Sequence, residues 1–157
     1  MGDNGTRMTA STMPERAGPR PEVIGPAPHA QRSQNAPAAL QQELLRRARE
    51  LPGVREADSE VSVPGARAFV LDEATALGPH EAFMVGGEFA HLHPPEDGSL
   101  HLTLPAAVAD AAYAAGWGEP HPMTGTPLIF GPRDEVELEV VWGLLRSSYE
   151  HASTPPS

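Results

Sequence analysis

Three histidines, His91, His93 and His101, fall within eleven residues of the segment GEFAHLHPPEDGSLHLTLP. Residues two apart in a β-strand point to the same face, so Phe89, His91 and His93 share one face of a predicted strand. If PPEDG closes a turn, His93 pairs with Ser99, and His91 lies directly across from His101 with Cβ atoms about 5 Å apart. The pattern therefore predicts a β-hairpin on which three imidazoles converge.

Imidazoles in this arrangement are suited to two kinds of chemistry. They can bind a divalent metal through nitrogen at about 2.0–2.1 Å, with Glu88, Glu96 or His121 completing the ligand set. A His-x-His pair on a strand is typical of cupins, although Glu96 lies closer to His93 than cupin spacing requires. Alternatively, the histidines act as acid and base, because imidazole titrates near neutrality. The plainest interpretation is a set of solvent-facing histidines on an ordinary half-exposed sheet.

The elements that must position this hairpin predict an α+β fold, with an antiparallel sheet of about five to six strands packed with about three helices. The helices are expected at 37–51, 105–116 and 133–151, from apolar spacing, Pro starts and a capping pair, Asp134 with Glu137. Strands are expected at 59–63, 66–71, 82–86, 88–93, 99–104 and 128–130.

The domain organisation follows from composition. Residues 1–14 are predicted to be a disordered tail, 15–151 a single α+β domain, and 152–157 a second disordered tail, because the ends are rich in Gly, Pro, Ser and Thr. Repeated prolines between 14 and 28 favour an extended chain that lies along the domain.

Charge and missing residue types exclude several functions. The net charge is -10, and residues 59–157 hold three Arg against fourteen acids. Such a surface repels phosphate backbones and anionic lipids, so neither nucleic acid nor a membrane is an expected partner. The chain has no Cys and no Lys, which excludes thiolate and Schiff-base chemistry. Without an apolar leader or span, the expected location is the cytoplasm.

Three segments together carry a resemblance to a known family. EFAHLHPPEDGSLHLTLP, GWGEPHPMTG and FGPRDEVELEVVWGLLRSSYEH resemble, in order and spacing, the fungal luciferases and their bacterial relatives, the luciferase-domain family. The earlier stretch ERAGPRPEVIGPAPHAQRSQ resembles the family's Arg-x-Gly-x-Arg-Pro segment. The resemblance covers about residues 15–151, and the combination of AHxHxxxxxxLHL with GWGxxHP is specific.

The resemblance implies an oxygenase. Fungal luciferases oxygenate a hydroxylated styryl-pyrone with O2, lose carbon dioxide and emit light without an added redox cofactor. We therefore expect a luciferase-like oxygenase that needs no cofactor and adds O2 to an electron-rich hydroxypyrone, enol or phenolic small molecule. The alternative is a cupin-like module that holds a divalent metal or a small ligand in the same pocket without catalysis.

The resemblance also implies which side chains act. Expected catalytic residues are His91, His93, His101 and His121. His91 or His101 would be the base, and His93, His121 or Arg133 would stabilise the developing anion. Expected substrate-binding residues are Glu88, Trp117, Arg133 and Arg20. If a metal is bound, its ligands would be His91, His93 and His101.

Three of these assignments have plain structural interpretations. Trp117 is as well suited to filling the core as to stacking on a flat substrate. Arg133 can satisfy loop carbonyls. Arg20, with Arg16, can clamp a carboxylate or pair with the acidic domain.

Overall fold

A computed structural model describes residues 7–157 and shows an α+β fold, which confirms the predicted class. In this range an antiparallel sheet has the strand order β3-β4-β5-β6-β8-β7, and a separate two-stranded hairpin is formed by β1 and β2. The strands are β1 Val23–Ile24, β2 Ala30–Gln31, β3 Val54–Asp58, β4 Arg67–Leu71, β5 Glu88–Leu92, β6 Leu100–Leu102, β7 Gly118–Pro120 and β8 Pro127–Ile129. The helices are α1 Ala38–Arg49, α2 Ala106–Ala114 and α3 Glu135–Ser153.

The core lies between the central strands and helix α3. Apolar side chains of β5 and β6 meet an apolar stripe of α3 that includes the buried Val141, Leu144 and Leu145. Helix α1 packs beside α3 and adds Leu44 and Ala48 to the same cluster. The predicted capping residue is confirmed, since the Asp134 side chain accepts from the N–H of Glu137 at 2.9 Å. These helices hold one face of the sheet and leave the other free for the histidines.

The predicted histidine hairpin is confirmed in its register. His91 of β5 pairs with His101 of β6, and the N–H of His93 donates to the Ser99 carbonyl at 2.9 Å. The turn between them ends at Gly98, whose φ of +76° is strained for any residue with a side chain.

The predicted face of Phe89 was wrong. The register between β4 and β5 shifts at this point and leaves Phe89 unpaired between paired residues, which is a β-bulge. Phe89 therefore turns into the core, where its ring lies 6.1 Å from that of Tyr149 on α3. The same bulge places Glu88 on the histidine face, with its carboxylate 2.9 Å from His91 Nδ1.

Several predicted strand boundaries were also wrong. The first strand is 54–58 and not 59–63, because Gly53 at φ +80° turns the chain directly out of α1. This strand lies at the sheet edge and carries Arg, Glu and Asp, so it lacks the apolar alternation that marks a strand. Residues 82–86 form a turn with one isolated bridge, and 118–120, predicted as loop, are β7.

The predicted tails differ from the structure where apolar side chains anchor the chain. The N–H of Met8 donates to Gly143 on α3 at 2.8 Å, and Met8 and Met13 pack against the core. Residues 8–13 of the predicted tail thus contact the domain in this structure, whereas residues 1–6 lie outside the described residues. At the other end α3 continues to Ser153 with Ala152 fully buried.

Residues 15–36, which we call the strap, run across the histidine face of the sheet. Gln31 is 1% exposed, and its side-chain oxygen accepts from the N–H of Gly131 at 3.0 Å. The side-chain amide of Asn35 donates to the carbonyl of Asp97, in the turn of the histidine hairpin, at 2.8 Å. The strap thereby covers the histidines, in keeping with the extended chain that its prolines predicted.

Candidate active site

His91, His93 and His101, the histidine cluster, turn one ring nitrogen each toward a common point. His101 Nδ1 lies 3.2 Å from His91 Nε2 and 3.1 Å from His93 Nε2. The three residues are only 3–6% exposed, so the plain interpretation of solvent-facing histidines does not hold. Strand parity and hairpin register create this arrangement, as the sequence predicted.

The other nitrogen of His91, in β5, and of His93, directly after β5, is held by a polar partner. His91 Nδ1 lies 2.9 Å from a carboxylate oxygen of Glu88. His93 Nδ1 lies 2.9 Å from the Ser99 hydroxyl oxygen, and that hydroxyl donates to Asp97 at 2.5 Å. Both rings are therefore fixed in orientation.

The outer nitrogen of His101 is held by a residue to which the sequence assigned no role. His29, in the strap, places Nδ1 3.0 Å from His101 Nε2, and its Nε2 lies 2.9 Å from a carboxylate oxygen of Glu119. Arg20 pairs with the other oxygen of Glu119. His29 precedes His101 by 72 residues. No periodicity links the two, and only the inclusion of the strap in the family resemblance pointed to this segment.

Burial sets the charge state of the cluster. Desolvation lowers the pKa of His93 to about 3 and also lowers that of His101, and the neighbouring imidazoles act in the same direction. Burial raises the pKa of Glu88, but hydrogen bonds from His91 and Ser59 outweigh it, so the net shift is downward. The lowered pKa values thus favour neutral rings at His93 and His101, and the lowered pKa of Glu88 favours an ionised carboxylate beside them.

The cluster forms the floor of a cavity of about 760 Å³. The walls come from the strap, the loop after β3, the turn before β5 and the loop between β7 and β8. The lining includes Pro26, Ala27, Pro28, Val61, Val63, Phe83, Met84, Thr124 and Thr126. Val61 is half exposed, so the cavity wall is apolar where it meets solvent. This volume and lining suit a small, largely apolar ligand.

Glu88 also shapes the cavity wall. Its two carboxylate oxygens accept from the Ser59 hydroxyl at 2.8 Å and from the N–H of Glu60 at 3.2 Å. These bonds fasten the loop that carries Val61 and Val63. The predicted substrate-binding residue therefore lies beside the cluster, where it orients His91 and anchors a wall.

His121 joins the site as predicted, at the side of the cavity. Its ring lies edge-on to that of His29, with centroids 4.9 Å apart. Its Nδ1 accepts from the N–H groups of Met123 and Thr124, which fixes the loop between β7 and β8.

Three other predicted residues do not line the cavity. Trp117 is 3% exposed within the core, and its indole N–H donates to the carbonyl of Pro14 at 2.6 Å. Arg133 pairs with Glu137 at 2.5 Å and donates to the carbonyl of Ala17. Arg20 reaches the cluster only through Glu119 and His29. Arg133 and Arg20 thus secure the strap, and Trp117 secures Pro14, the residue directly before it.

Comparison with known proteins matches the region that carries this site to a protein family. Residues 86–148 match the luciferase domain family. This stretch contains the whole cluster and His121, and it confirms the predicted resemblance. The chain is 34% identical to a luciferase of Armillaria ostoyae, 33% to one of Armillaria mellea and 30% to one of Neonothopanus nambi, each over 79 residues.

The luciferase matches are partial. Each alignment covers 45% of this chain and only 30% of the relative. Most of each fungal luciferase therefore lies outside the alignment. No solved structure matches the chain. Among the helices within residues 7–157, none combines the length and apolar character that crossing a membrane requires.

Proposed function

We propose that this chain is a luciferase-like oxygenase that adds O2 to a small electron-rich enol, hydroxypyrone or phenol. The observation that supports it best is the buried histidine cluster on the floor of the cavity, inside the region that matches the luciferase domain. The fungal proteins that match part of this chain are named luciferases. The apolar walls suit a flat organic ring, and the imidazoles suit its hydroxyl group.

The proposed chemistry begins with loss of a proton from the substrate hydroxyl. The resulting anion donates electrons to O2, a carbon–oxygen bond forms, and the peroxide anion takes the proton back from the imidazolium to give a hydroperoxide. A neutral imidazole is the form that accepts a proton, and positioned donors stabilise the anion. His91 or His101 is the proposed base, with His93 and His121 beside the anion. Arg133 has no part in this proposal because it does not line the cavity.

Two narrower expectations stay with this proposal. The cavity is proposed to take a small molecule and not nucleic acid, in keeping with the acidic charge of residues 59–157. The cytoplasmic location stays a prediction.

Oxygen uptake tests the proposal. The full chain is mixed with hydroxypyrone and catechol candidates in an oxygen-electrode cell, and the same panel is run with His101→Ala and His80→Ala. His80 is exposed and lies outside the cavity lining, so its variant is the matched control. We expect His101→Ala to lose at least about 100-fold in rate, the usual contribution of acid–base catalysis, and the control to keep its rate.

Equal rates for the two variants would remove catalysis from the hairpin. A wild-type protein that binds candidates in the cavity without consuming oxygen would instead establish the non-catalytic binding module. Circular dichroism of each variant, with His101→Gln as a second substitution, separates lost chemistry from lost folding.

A further inference from the structure

The partners of His91 and His93 assign their tautomers. The Glu88 carboxylate accepts from the Ser59 hydroxyl and from the N–H of Glu60, and it acts as the acceptor toward His91 as well, so His91 Nδ1 carries the hydrogen. The Ser99 hydroxyl donates its own hydrogen to Asp97, so its oxygen accepts from His93 Nδ1. When each ring carries one hydrogen, Nε2 of both histidines has a lone pair and no hydrogen. This lone pair points inward, toward the common point of the cluster.

The tautomer of His101 follows from a longer series of hydrogen bonds, which runs through His29 to Glu119. Burial raises the pKa of Glu119, but hydrogen bonds from His29 and Arg20 outweigh it and the net shift is downward. The carboxylate therefore accepts from His29 Nε2, and a His29 ring with its single hydrogen on Nε2 accepts at Nδ1 from His101 Nε2. His101 Nδ1 is left as a third inward lone pair.

Three inward nitrogens thus stand at hydrogen-bond distance with no hydrogen between them. His101 Nδ1 is 3.2 Å from one acceptor and 3.1 Å from another. A proton on one neighbouring ring would fill one of these contacts, because Nδ1 has a single lone pair. A metal ion would accept all three lone pairs at once.

We propose that His91 Nε2, His93 Nε2 and His101 Nδ1 bind one divalent transition-metal ion. With metal–nitrogen bonds of about 2.0–2.1 Å, neighbouring ligand nitrogens lie about 3.0–3.4 Å apart, depending on coordination geometry. The two distances from His101 fall in this range, and one ligand atom from each residue lies within 4.8 Å of the others. The remaining coordination positions face the cavity.

The outer partners support the same assignment independently. Each ligand histidine is backed by a carboxylate: Glu88 directly, Asp97 through Ser99, and Glu119 through His29. Metal-bound histidines typically donate their second N–H to a carboxylate or another acceptor, which orients the ring. Three neutral imidazoles favour zinc, iron, cobalt, nickel or copper over magnesium or calcium.

The role of the metal rests on the proposed function, whereas the binding of the metal does not. A cation at the cavity floor lowers the pKa of an enol or phenol that binds it, and so promotes the same ionisation that a base would promote. With a metal bound, the three histidines serve as ligands and the cation promotes the ionisation, so the base role proposed above for His91 or His101 applies to the metal-free protein. This assignment takes the divalent-metal alternative that the sequence left open, in place of the expectation of no cofactor.

Direct metal titration tests the site. Full-length protein without a histidine tag is stripped with a chelator, dialysed, and titrated with Co2+ by visible spectroscopy and with Zn2+ by calorimetry. We expect one ion per chain, cobalt absorption bands that report nitrogen ligation, and a rise in Tm. His91→Ala and His101→Ala should weaken binding by at least about 100-fold, and Glu88→Gln by about 10- to 100-fold. His80→Ala, the exposed control, should bind as the wild type does.

Binding at other than one ion per chain, or binding unchanged in both cluster variants, would overturn the site. If those variants fail to fold, long-range nitrogen NMR of the metal-free wild type decides. Hydrogens on Nδ1 of His91 and His93 and on Nε2 of His101, with zinc shifting only the inward nitrogens, support the proposal. An imidazolium in the cluster that zinc does not displace overturns it.

Oxygen uptake on the same stripped samples separates the two proposals. Uptake by protein that binds no metal would keep the oxygenase function and overturn the metal site. One-to-one metal binding at the cluster without uptake, with or without metal, would keep the metal site and overturn the oxygenase function.

Discussion

Glu88→Ala should be among the most destabilising substitutions in this chain, although glutamate usually lies on a protein's surface. Glu88 is 2% exposed and accepts three hydrogen bonds, from His91 Nδ1, the Ser59 hydroxyl and the N–H of Glu60. Alanine would leave these donors without their acceptor. A buried donor left unpaired costs about 1–3 kcal/mol, which applies in full to His91. The donors of Ser59 and Glu60 are less buried and can turn to water, so each of them costs about 1 kcal/mol.

We therefore expect the free energy of unfolding to fall by about 3–5 kcal/mol. For a chain of this length, a change of that size lowers Tm by roughly 6–20 °C. Urea denaturation followed by circular dichroism measures the change at equilibrium. Glu96→Ala is the matched control, since Glu96 is exposed in the hairpin turn and should change stability by no more than about 0.5 kcal/mol.

Ser59→Ala refines the test because it removes one of the three bonds to Glu88. It also removes the acceptor of the N–H groups of Val61 and Ser62, so it should cost about 1–2 kcal/mol. The reasoning would be refuted if Glu88→Ala were as stable as Glu96→Ala. It would also be refuted if Ser59→Ala alone reproduced the full loss, because the carboxylate would then serve only to hold the loop.

Three further substitutions separate structural from functional roles. Trp117→Phe should lose about 1 kcal/mol of stability with its hydrogen bond to Pro14, while KM for any substrate stays within about twofold; a large KM change at unchanged stability would restore Trp117 to the substrate site. Gly98→Ala should destabilise by about 1–3 kcal/mol, since φ is +76° and a Cβ would lie 2.5 Å from the side chain of Gln41; Gly125→Ala, at the same φ with open space around it, is the control. Asp134→Ala should cost about 1 kcal/mol through loss of the α3 cap in thermal unfolding, and an unchanged Tm would contradict the capping role.

The parts of the site that follow a regular period were predictable from sequence. Alternation along β5 and β6, with a turn of known length, was enough to pair His91 with His101. The cap at Asp134 was predictable for the same reason, because a helix start is a local pattern.

The rest depended on irregular or distant features. Phe89 broke the alternation because a β-bulge inserts one residue, and no composition signal marks that position. His29 and Glu119 come from separate segments that meet only in three dimensions. Trp117 and Arg133 stand near the site in sequence motifs, yet burial and local hydrogen bonds direct them elsewhere.

The bulge at Phe89 also limits how this chain can change in length. Deleting Phe89 would restore plain alternation and keep Glu88 on the face of His91, but it would remove a buried ring from the core and shorten the spacing that sets the contact between Glu88 and His91. Inserting one residue between Phe89 and His91 would instead reverse the facing of every upstream side chain on the strand. We therefore expect related sequences to differ in the length of the loop after β3. The spacing from Glu88 to His91 is expected to stay at three residues.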